Sequence, residues 1–142
     1  LDGTQLNGMY TLPYPVFANE CALCHVHREA YGGPDQPADS GHTFESNTRA
    51  CTPCHTETDA IARIAGVREE IEPRLATIAR YFDPSDPLYV DFSALTPEER
   101  DQYQIARFNY DLVAADGSYG AHNAMYARVL LGEAESFFGI TR

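Results

Sequence analysis

Residues 21–27 read CALCHVH and residues 51–55 read CTPCH, so one short chain twice sets two cysteines three apart with a histidine directly behind them. A CxxCH segment is the attachment signature of a c-type haem. Two thiols at this spacing form thioether bonds to the two vinyl groups of the macrocycle, and the residue that follows is placed under the iron. The sequence therefore predicts two haems c. Cys21 and Cys24 would hold one, with His25 as proximal ligand, and Cys51 and Cys54 the other, with His55.

Zinc is the structural alternative, since two CxxC pairs also describe a four-cysteine ribbon. Here 26 residues separate Cys24 from Cys51, more than the roughly 15–20 usual for that pattern. Zinc also gives no reason for a histidine behind each pair. A disulfide scaffold is disfavoured because CxxC is a tight, redox-labile spacing for a structural bridge.

Composition bears on the same point. Leu, Ile, Val and Phe together make 29 of 142 residues, about a fifth, and the formal net charge is -11. That pairing lies near the border below which chains fail to fold unaided. Two apolar macrocycles would complete such a core. The acidic balance excludes nucleic acid and anionic membrane surfaces as partners, because both reward clustered basic residues. All ten basic residues are Arg. No apolar run approaches the roughly 18 residues of a spanning helix, and LDGTQLNGMY lacks the basic start of a signal peptide. The expectation is a soluble chain without a membrane span, its export signal already removed.

The length suits one domain, residues 1–142, mainly α with extensive loop: an extended strap and attachment segment over 1–56, and helices over 57–142. Pro13 and Pro15 mark residues 1–20 as extended, and the Gly- and Pro-rich stretch 29–50 reads as a loop wrapped around a ligand. Ile61, Ile64, Val67, Ile71, Leu75, Ile78 and Phe82 share one helical face. Pro73 within that helix predicts a kink or break near Glu69–Glu72, and DPSDP at 83–87 ends it. Thr96-Pro97-Glu98-Glu99 is a strong helix start. That helix should run to about Ala115, with apolar residues around much of its circumference and cover on more than one side. A turn at 115–120 leads to a last helix over about 121–138, in which His122, Met125, Tyr126, Val129 and Leu130 share a broad face. No strand is predicted.

The second axial position of each iron decides between electron transfer and catalysis. His27, His42 and His122 remain for two places. His27 lies too close to His25 to reach the opposite face of the same macrocycle, which leaves it the other haem, a neighbouring molecule, or a solvent or propionate contact. His42 ends a flexible loop between the attachment segments and could reach either haem. His122 opens the last helix. Met9 and Met125 are the rival ligands that would raise the potential; Met125 is better suited to packing against a porphyrin.

CALCHVH, GHTF ahead of CTPCH, and DGSYGAHNAMYARVLL resemble segments of the multihaem c-type cytochromes of bacterial respiratory and extracellular electron transfer. In that group a Gly-x-His-Asn segment leading a helix, and a His-x-Phe segment ahead of a CxxCH, commonly supply distal histidines. The resemblance thus implies His122 and His42 as the distal pair, with His27 in reserve. It further implies a periplasmic or extracellular location. The expected function is electron transfer through two bis-histidine haems, with no enzyme activity. Partners would be other redox proteins, or copies of the chain joined head to tail in a filament. A soluble dihaem shuttle and a haem enzyme with one open iron are the alternatives.

Overall fold

The computed structural model describes residues 25–26, 28–35, 38, 47–121 and 123–141. Cys21, Cys24, His27, His42, His122 and Met9 lie outside them, as does the whole strap expected over 1–20 and part of the loop expected over 29–50. The described residues are mainly helical, with no strand beyond isolated bridge residues at Glu29 and Gly33. The three helices are α1 (Glu57–Ala79), α2 (Pro97–Ala115) and α3 (Ala124–Phe137). Chain contacts divide the described residues into two compact units, those up to residue 64 and those from 65 to 141, so the boundary falls inside α1.

α1 runs unbroken through Pro73, so of the kink or break expected there the break does not occur. The proline removes the donor that the Glu69 carbonyl would have used. Both residues are exposed, and Thr77 Oγ1 donates to the Pro73 carbonyl at 2.8 Å. The apolar stripe is buried only along its later part: Ile71 and Ile78 are fully covered and Leu75 nearly so, whereas Ile61 is 51% exposed and Ile64 37%. A 3-10 turn, Arg80–Phe82, ends the helix.

α2 begins where the sequence places it. Thr96 accepts from the Glu99 amide, and the Glu99 carboxylate accepts from the Thr96 amide, a reciprocal box with Pro97 at the first helical position. The helix buries one side only, through Ala106, Asn109 and Val113. Phe108 and Leu112 on the other side stay exposed, so cover on more than one side is corrected. α3 starts later than expected, after Asn123, whose side chain accepts from the Tyr126 amide. Its buried face is Ala127, Leu130, Leu131, Ala134 and Glu135; Met125 is exposed, and Tyr126 and Val129 are half-buried. The broad face expected around Met125 is therefore turned toward Leu131, where α3 meets its neighbours.

In the unit spanning 65–141 the core joins Ile71, Leu75 and Ile78 of α1 to Ala106 and Val113 of α2 and to Ala127, Leu130, Leu131 and Ala134 of α3. Phe82 closes one end, with ring centroids 5.3–5.5 Å from Tyr103, Tyr110 and Phe138, and with the Arg107 guanidinium 4.6 Å above it. Such edge and tilted contacts add to plain burial. The α2–α3 turn passes through Gly120 at φ +85°, where a Cβ would lie 3.1 Å from Ala127 Cβ and 3.3 Å from Ile71 Cγ1. Both the conformation and the space require glycine.

Candidate functional site

The second CxxCH segment lies within the described residues. Asn47 starts it by accepting from the Arg49 amide at 2.9 Å, and a 3-10 turn follows over Thr48–Cys51. The Cys51 carbonyl then accepts from the amides of both Cys54 and His55, at 3.1 and 2.9 Å. These i+3 and i+4 bonds make a helical turn, and a helical turn brings residues i, i+3 and i+4 to one side. Cys51, Cys54 and His55 occupy those three places. Both cysteines are free thiols, Cys51 half-buried and Cys54 exposed.

Charged residues hold the turn from behind. Arg49 pairs with Glu29 and reaches Glu57 at 3.8 Å, tying the 28–35 segment to the first turn of α1. Thr56 Oγ1 accepts from the Asp59 amide at 3.1 Å, an N-cap contact that fixes where α1 starts. Asp59 is thereby set one helical turn above His55. Nδ1 of His55 donates to Asp59 Oδ2 at 3.0 Å, and Arg63 Nε donates to the same oxygen at 2.8 Å. The Arg63 hydrogen bond, more than the His55 ring, holds the Asp59 carboxyl below the usual carboxylate range. With Nδ1 so engaged, Nε2 is the nitrogen left to ligate.

The donor set suits a c-type haem by residue type and spacing: two cysteines and an imidazole at i, i+3 and i+4 of one turn, the imidazole held by its other nitrogen. Ile61 and Ile64, which follow within the same unit, are exposed apolar side chains. Of the first segment, His25 is described and half-buried. Among the described residues no three His, Cys, Asp or Glu side chains converge as a metal site, and no helix is long and apolar enough to cross a membrane. Met125, the one rival ligand described, is 59% exposed.

Asp59 and Arg63 were not among the residues singled out from sequence. The signal that finds them is His-x3-Asp-x3-Arg, steps of four that align on a helix.

No family model, curated protein or solved structure matches the chain.

Proposed function

We propose that this chain is an electron carrier with two covalently held c-type haems, a dihaem relative of the multihaem cytochromes that its motifs resemble. The observation that carries the reading is the turn at Cys51–His55. It sets Cys51, Cys54 and His55 at positions i, i+3 and i+4 of one backbone turn, with the Nδ1 of the imidazole already engaged. When bound, each haem would supply one reversible electron at its iron.

The chain's own residues would do the rest. Cys51 and Cys54 would anchor one macrocycle and Cys21 and Cys24 the other. His55 and His25 would ligate from one side, and His42 and His122 would close the opposite positions. Two histidines per iron leave no place for a substrate, which separates a carrier from an enzyme. Covalent attachment of this kind belongs to the periplasm or the cell exterior.

The test is an absorbance spectrum, oxidised and reduced, together with intact mass. Sharp low-spin bands and two haem additions on one chain support the proposal. A colourless protein containing zinc rejects it.

A second reading concerns what the carrier docks on. The outer side of α2 leaves Phe108 49% and Leu112 40% exposed on a chain whose charge otherwise favours separation. Apolar surface of that kind suits contact with another protein, a redox partner or the next copy in a head-to-tail filament. Electron microscopy and light scattering at low and moderate salt separate the two. Assembly that strengthens as salt screens the repulsion supports the filament; a strict monomer favours the shuttle.

A further inference from the structure

We infer that Asp59 is the positioning residue for the His55 imidazole, and that Arg63 sets how much negative charge the Asp59 carboxylate lends to it. This rests on the reading of Cys51, Cys54 and His55 as a haem attachment site. His55, Asp59 and Arg63 are spaced four apart, and one oxygen, Asp59 Oδ2, accepts from both His55 Nδ1 and Arg63 Nε, at 3.0 and 2.8 Å. The backbone beneath is the first turn of a 23-residue helix, where the Asp59 amide donates to Thr56 Oγ1.

Two consequences follow for an imidazole that ligates through Nε2. A fixed acceptor on Nδ1 settles the tautomer and the plane of the ring. A charged acceptor also makes the ring a stronger donor, which favours ferric over ferrous iron and lowers the potential. Arg63 acts against the second effect by drawing on the same oxygen. Glu57, two residues before Asp59, carries the same charge but is turned to Arg49, so it serves as the internal comparison.

The experiment uses the full chain with haem attached and follows each haem in a spectroelectrochemical titration. D59N keeps the shape and an acceptor but removes the charge. It is expected to raise the reduced-to-oxidised ratio of one haem about tenfold at a fixed applied potential, a shift of about 59 mV for one electron, while the other haem stays in place. R63Q should move the same haem the opposite way, and D59E should return it toward the parent value. E57Q should shift it several-fold less than D59N. A D59N shift no larger than that of E57Q overturns the inference, because Asp59 would then act only as a nearby charge. So does an R63Q shift in the same direction as D59N. Intact mass keeps the two levels apart: a chain without haem on Cys51 and Cys54 overturns the attachment reading as well, whereas a loaded chain with unequal expectations unmet overturns this inference alone.

Discussion

Arg74 of α1 donates through Nε and Nη2 to the two carboxylate oxygens of Glu135 on α3, at 2.9 and 2.8 Å, and both side chains are buried. The same Nη2 reaches the Arg128 carbonyl at 3.2 Å, and the Arg128 guanidinium in turn grips Glu70. Two planar forks thus cross between α1 and α3, one covered and one at the surface. Removing one member of the covered pair leaves a charge in a dry site. E135A should lower unfolding stability by about 3–5 kcal/mol. The double variant R74M/E135L should recover much of that loss, since two apolar groups of similar size strand no charge. Urea unfolding followed by circular dichroism reads both.

Gly120 offers a backbone test. Gly117 and Gly120 both have positive φ, but a Cβ on Gly117 meets open space and one on Gly120 meets Ala127 and Ile71. G117A should cost about 1–2 kcal/mol for the left-handed backbone alone. G120A should cost about 1–3 kcal/mol more for overpacking. Equal losses in the two variants would show that the turn yields away from the core.

The start of α2 sets a pH dependence. Hydrogen bonds from the Thr96 amide and side chain hold the Glu99 carboxyl below its ordinary value. A depressed carboxyl gives stability that is present above the unfolded-state pKa and is lost as pH falls through the folded-state value. E99Q should therefore flatten the acid limb of stability, while T96A should cost about 1 kcal/mol near neutral pH as well. Thermal melts between neutral and acid pH distinguish them.

Axial ligation can be read one residue at a time. H55A should leave the Cys51–Cys54 haem without its proximal ligand, and the C51A/C54A variant should carry one haem fewer by mass. H122A should open one iron to a high-spin form and loosen the end of the chain together. If the H122A spectrum stays wholly low-spin, the distal assignment passes to His27.

Much of the helical part was legible because its signals are local. Thr96, Pro97 and Glu99 carry an entire helix start within four residues, and α2 begins where they say. The α1 stripe was equally plain, yet sequence could not show that Ile61 and Ile64 would lie open while Ile71 and Ile78 are covered, because cover comes from distant helices. Pro73 did not break the helix, although its ring and missing donor are signals for a kink or a break, because a residue's local cost is set against the packing of the whole helix. The Arg74–Glu135 pair spans 61 positions and leaves no mark in any short window. Of the candidate site, the two cysteines and His55 were visible as a motif. Asp59 and Arg63 were visible only as spacing, which acquires meaning once the motif is seen to run directly into α1.

Burial is shared unequally between the two units. Among the described residues, Ala50 and Ala60 are the only covered apolar side chains in 12–64, while nine more, Ile71 and Leu131 among them, fill the unit that follows. The nine form one cluster drawn from three helices, so none of the later part of α1, α2 and α3 keeps its cover when another leaves, and residues 65–141 are expected to melt in a single step.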